Sequence, residues 1–128
     1  MPKKKVLRSE DAPQPVASYS QAVRAGKFVF CSGQIPIDPR TRELVTGGIE
    51  EQTRRVLDNL GAVLAEAGLG YGDVVKCTVF LADLKDFAAF DAAYAHYFGA
   101  SPPARSTVQV SGLPRGARIE LEAIALMR

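Results

Sequence analysis

The sequence predicts an α+β fold, a mixed sheet of four to six strands with two helices packed on one of its faces. Two stretches repeat apolar residues at three- and four-residue steps, and several short β-branched and aromatic runs alternate with period two. Their order along the chain is β-rich, helix, strand, helix, strand, strand, and two helices suffice to cover one face of such a sheet. With 128 residues there is material for one continuous core but not for two comfortable ones, so a single domain over 1–128 is expected.

From the N-terminus, Val6-Leu7 reads as a short edge strand. The segment Tyr19 to Arg24 is the expected hairpin partner, across Ala25-Gly26, of the strand Lys27 to Cys31. Asp38 to Glu43 is polar and turn-rich, hence a surface loop. Ile49, Thr53, Val56, Leu57, Leu60, Val63, Leu64 and Ala67 make the apolar stripe of the first helix, with Gly47-Gly48 before it and Gly68 after it; Glu51, Arg54, Arg55, Asp58 and Glu66 face water. Asp73 to Ala82 reads as a strand with Val75, Cys77, Val79 and Leu81 on one face and Val74, Lys76, Thr78 and Phe80 on the other. Asp83 or Asp86 is placed to cap a second helix carrying Phe87, Phe90, Tyr94, Tyr97 and Phe98, ended by Gly99. Two strands, Ala104 to Val110 and Arg118 to Leu126, close the chain.

One sheet face is then left without a helix. The alternation places Arg105, Thr107 and Gln109 on it, together with Glu120, Glu122 and Ile124. Phe80, Val74 and Ile124 make that face apolar in part, so self-association into a symmetric homo-oligomer is expected to bury it, with ligand pockets at the seams.

Composition narrows the function classes. The chain is 47% hydrophobic and 23% charged, with a net charge of +2 to which Lys3, Lys4 and Lys5 contribute at the N-terminal end, a solvated run rather than a nucleic-acid site. Cys31 and Cys77 sit in apolar β-type runs without a Cys-x-x-Cys spacing, which fits reduced thiols in the cytoplasm. Neither a secretion signal nor a membrane span is read. His96 lies on the polar side of the second helix, and no cluster has metal-ligand spacing. Gly68-Leu69-Gly70-Tyr71-Gly72 follows a helix and precedes a strand, the reverse of a dinucleotide-binding order.

The remaining candidates are Arg105, Glu120, Tyr19, Ser32 and the backbone donors around Gly33. An arginine inside a short apolar strand is costly to bury unless an anion pairs with it, and that anion is either Glu120 or a ligand.

Four segments, Cys31-Ser32-Gly33-Gln34-Ile35-Pro36, Val75 to Leu81, Pro103-Ala104-Arg105-Ser106 and Ile119 to Ala125, resemble the RidA (YjgF-type) family of reactive-intermediate deaminases in order and spacing. The resemblance covers almost the whole chain. It implies a chorismate-mutase-like fold, a homotrimer whose sheets line a central barrel, and active sites in the clefts between subunits. The implied reaction is hydrolysis of 2-imino acids, such as 2-iminobutanoate and 2-iminopropanoate, to 2-oxo acids and ammonia without a cofactor. Arg105, Glu120 and Tyr19 become the implied catalytic residues: Arg105 holds the substrate carboxylate in a bidentate pair, Glu120 holds or activates the attacking water, and Tyr19 closes the pocket. Ser32, Gly33, Asp91 and Thr107 become the implied substrate-binding residues.

Three positions depart from the family pattern. Thr107 stands where many members have cysteine, and Asp91 where asparagine is frequent; a second carboxylate there repels an anionic substrate unless it points away. Ala17-Ser18 replaces a common Gly-Pro before Tyr19. Two other functions compete: a carboxylate-binding or regulatory trimer without turnover, and RNA binding or cleavage, against which the small net charge and lack of a histidine base argue.

Overall fold

The computed structural model describes residues 3–128. Helix α1 (Ile49–Glu66) forms along the predicted apolar stripe, with Glu51 reaching back from the first turn to accept a hydrogen bond from the Gly48 N–H at 3.0 Å. Helix α2 (Phe87–Phe98) ends at Gly99, whose φ of 64° is a left-handed value that favours glycine. Asp83 caps the short 3-10 turn Leu84–Asp86, accepting from the Lys85 N–H at 2.9 Å; Asp86 precedes α2 but directs its carboxylate to Arg118, also at 2.9 Å.

Six strands form one sheet: β1 (Lys5–Leu7), β2 (Ala22–Ala25), β3 (Phe28–Gln34), β4 (Val74–Leu81), β5 (Ala104–Gln109) and β6 (Ile119–Leu126), in the spatial order β1-β2-β3-β6-β4-β5. Every pairing is antiparallel except β4 with β5, which is parallel and uses α2 as its crossover. Both helices lie on one face. Beneath them Val29, Cys31, Cys77, Val79, Leu81, Ile119, Leu121, Ala123 and Ala125 meet Val56, Leu57, Leu60, Val63, Leu64, Phe90 and Tyr94 in one core. Cys31 and Cys77 flank Ala123 in a single cross-strand row of that core.

Two expectations are overturned. The ladder of β4 and β6 steps from Val74 opposite Ala125 to Lys76 opposite Ile124, so Val75 is an extra, bulged residue. Val74 is therefore buried and Val75 is exposed, the reverse of the faces expected from strict alternation. The second correction concerns β5. In the parallel ladder Cys77, Val79 and Leu81 stand beside Arg105, Thr107 and Gln109. Neighbours in a ladder point the same way, so these three residues face the helices and not the open side. Glu120, Glu122 and Ile124 do occupy the open face, as expected.

The open face carries several large apolar side chains among its charged ones. Phe28, Phe30, Val108 and Leu126 are each at least 40% exposed, with Phe80 half-buried between Glu120 and Val108. Patches of this kind on a sheet mark interaction surfaces.

On the other side of the core, Tyr71 hooks over α1. Its hydroxyl donates to the Leu57 carbonyl at 2.6 Å, its ring stacks edge-on against Tyr97 and Phe98, and it fills the recess above Gly61, where a Cβ would collide with it. In an open helix Gly→Ala gains about 1 kcal/mol. At Gly61 overpacking costs about 1–3 kcal/mol and wins. Gly61→Ala is expected to lower the denaturation midpoint, and an unchanged or raised midpoint in urea would contradict the packing assigned to Tyr71.

Candidate functional site

Phe87, Phe90, Asp91 and Tyr94 share one ridge of α2, at spacings of three and four residues. That ridge lies over Arg105. The guanidinium carbon sits 4.7 Å from the Tyr94 ring centroid, 5.1 Å from Phe90 and 5.4 Å from Phe87. Arg105 Nη1 donates to Asp91 Oδ1 at 2.8 Å. The predicted intramolecular partner, Glu120, is replaced by Asp91, because the parallel ladder turns Arg105 toward the helices. Rings fix the plane of the guanidinium and one carboxylate oxygen fixes its rotation, leaving the other N–H groups for a further acceptor. A cavity of about 390 Å³ opens beside the pair, walled by Tyr94, Phe98, Pro102 and Pro103.

Two buried oxygens near this cluster, Tyr94 OH and Thr107 Oγ1, have no hydrogen-bond partner among the described residues. Burial raises both the Tyr94 hydroxyl and the Cys77 thiol above their ordinary pKa values, so neither ionises near neutrality. Thr107 follows Arg105 by two residues on β5, an edge strand with unpaired backbone groups along its outer side.

The remaining candidates gather elsewhere. Tyr19 and Gly33 line a cavity of about 450 Å³ with Ile35, Ile37, Arg42 and Arg115. Gly33 lies against the Glu120 carboxylate so closely that a Cβ there would land on it. Burial first, and the neighbouring Glu122 second, hold the Glu120 carboxyl above the usual carboxylate range. Ser32 Oγ donates to the Ser20 carbonyl at 2.6 Å, which ties β3 to the chain carrying Tyr19.

Sequence reasoning missed two carboxamides that build this cavity. The Gln21 side chain accepts from Ser9 N at 2.6 Å and donates to Pro13 O at 2.9 Å, seating the N-terminal segment that forms one wall. Asn59 Nδ2 donates to Ile37 O at 2.9 Å and holds the opposite wall. A fully buried asparagine within the apolar stripe of α1 was the available signal, since buried polar groups need partners.

Arg105 and Glu120 thus lie on opposite faces of the sheet, with β4 between their strands. One chain brings Arg105 to Asp91, and Glu120 to Gly33, which shares its cavity with Tyr19, but does not unite the two groups.

Residues 9–127 match the family model described as Endoribonuclease L-PSP. A RutC family protein of Pyrococcus abyssi is 55% identical over 122 residues, 95% of this chain and 96% of its own. A mouse protein named 2-iminobutanoate/2-iminopropanoate deaminase is 45% identical over 123 residues, 96% of this chain and 91% of its own. The crystal structure of Escherichia coli TdcF with bound serine superposes with a TM-score of 0.93 at 41% identity, over 97% of this chain and 99% of that one. The chain belongs to the RidA (YjgF-type) family. Its sheet and helices have the YjgF-type fold.

The colliding atom at Gly33 is the mobile end of the Glu120 side chain, so Gly33→Ala is expected to displace that carboxylate at a stability cost under about 1 kcal/mol. A crystal structure of the variant with Glu120 unmoved would contradict the contact.

Proposed function

We propose that this protein hydrolyses 2-imino acids to 2-oxo acids and ammonia, in a homotrimer whose sites pair Arg105 of one subunit with Glu120 of the next. The observation that carries the reading is the pre-oriented Arg105 guanidinium, stacked on α2 and presenting free N–H groups to a cavity. A 2-imino acid offers a carboxylate of matching geometry, and fixing it places the adjacent C=N carbon. The named activity of the mouse relative and the serine in the TdcF structure support a small carboxylate ligand.

The chemistry needs only water. Glu120 takes a proton as the water oxygen adds to the C=N carbon, whose π electrons move to nitrogen. Glu120 returns that proton to the nitrogen of the adduct formed from the protonated imine; the C–N bond then breaks and ammonia leaves, while the hydroxyl oxygen forms the C=O bond of the 2-oxo acid and gives its own proton to Glu120, from which it passes to solvent. A carboxyl raised above its ordinary range suits this exchange, because it accepts and returns a proton closer to neutrality. Tyr19 closes the cavity beside Gly33, while Ser32 positions the strand carrying it. The opposite-face placement of Arg105 and Glu120 supports a site shared between subunits, and the exposed apolar patch of Phe28, Phe30 and Val108, which assembly would bury, supports the trimer. We place the activity in the cytoplasm, with both cysteines reduced.

A second reading, carboxylate binding without turnover, is favoured by one observation: Asp91 already occupies one N–H of Arg105.

Coupled to an amino-acid oxidase, wild type is expected to accelerate 2-oxo acid release above buffer. Arg105→Ala and Glu120→Ala are each expected to lose at least about 100-fold. Co-expression of the two variants restores part of the activity if each site draws on two subunits; no recovery would overturn the shared site, and no acceleration by wild type would overturn the enzyme in favour of the binder.

Glu120 must be ionised to accept a proton, so kcat/KM falls as pH drops through its raised pKa. The acid limb therefore lies above the ordinary carboxylate range. Glu122→Gln removes a like charge and is expected to move that limb to lower pH; a limb that stays in place would assign it to another group.

A further inference from the structure

We infer that Asp91 makes the Arg105 half-site selective for a carboxylate bearing a cationic nitrogen, the protonated imine, over the plain 2-oxo acid product. This selectivity rests on Arg105 being the holder of the substrate carboxylate.

Charge sets the preference. Asp91 Oδ1 accepts from Arg105 Nη1 at 2.8 Å, while its second oxygen accepts no hydrogen bond among the described residues. The Asp91 side chain is 47% exposed against 20% for Arg105, and both border the same cavity. The rest of that wall, including Tyr94, Phe98 and Pro103, carries no charge near neutrality. An entering ligand therefore meets one positive and one negative group side by side, with no net charge.

A 2-oxo acid, which is only negative, is attracted by Arg105 and repelled by Asp91. A 2-iminium acid gains from both, because its N–H groups sit one carbon from the carboxylate and find a free acceptor in Asp91 Oδ2. The same carboxylate favours the charged, electrophilic form of the substrate and weakens the hold on the product, whose nitrogen has gone. A structural role accounts for little of the pair: α2 is docked by the buried Phe90, Tyr94 and Phe98, and a half-exposed ion pair adds only about 0–1 kcal/mol.

The test is calorimetric titration of the intact protein with 2-oxobutanoate and with 2-aminobutanoate, a stable ligand of equal length that carries the cationic nitrogen. Asp91→Asn keeps the shape and removes the charge. It is expected to tighten 2-oxobutanoate by about three- to tenfold and to weaken 2-aminobutanoate by a similar factor. In turnover, product inhibition by the 2-oxo acid strengthens correspondingly. Parallel shifts for both ligands, or no shift, would overturn the inference and leave Asp91 as a holder of Arg105, with that residue's role intact. If wild type binds neither ligand, the role of Arg105 and this inference fall together. Thermal melting of the variant shows that it is folded.

Discussion

The parallel pairing of β5 on β4 decides where the chemistry lies. With Cys77 beside Arg105 in the ladder, the guanidinium turns under α2 and meets a ridge of three rings and a carboxylate. Antiparallel β6, on the other side of β4, sends Glu120 to the opposite face. One central strand thus separates Arg105 from Glu120. Pleat and strand order, which no side-chain substitution alters easily, keep these two groups on opposite faces of the sheet in a single chain.

The rest of the fold surrounds those two groups differently. The Arg105 side is rigid and aromatic, dominated by stacking and by groups that stay neutral. The cavity of Tyr19 and Gly33 is built largely from loops, and its walls are positioned by Gln21 and Asn59 through bonds to backbone carbonyls. Carboxamides suit that task because they supply donors and acceptors without charge, leaving Glu120 and Glu122 as neighbouring like charges on the open face.

Much of this was legible in the residues. The stripe of α1 and the aromatic residues of α2 specified two helices, and the alternation along β6 placed Ile119, Leu121, Ala123 and Ala125 inward. The motif around Arg105 singled it out as a candidate. Its direction was not legible. Val108 and Val110 suggested that the apolar side of β5 faced the core, but Val108 belongs to an open face that is itself apolar, so alternation on this edge strand points the wrong way. The bulge at Val75 was hidden for a related reason, since two adjacent valines fit either phase. The Arg105–Asp91 pair joins residues on different elements, and only the parallel crossover brings them into contact.

Cys31 and Cys77, set on either side of Ala123 in the middle of the sheet, carry a consequence for how the molecule opens. Burial drives the Cys31 thiol up to about 12 and raises that of Cys77, so in the folded state both are neutral and shielded. A fraying edge strand does not uncover them, because the helices packed over that face must lift from the sheet first. Alkylation of these two thiols therefore counts rare, cooperative opening events, and the chain carries its own clock for how long its helices stay seated on the sheet.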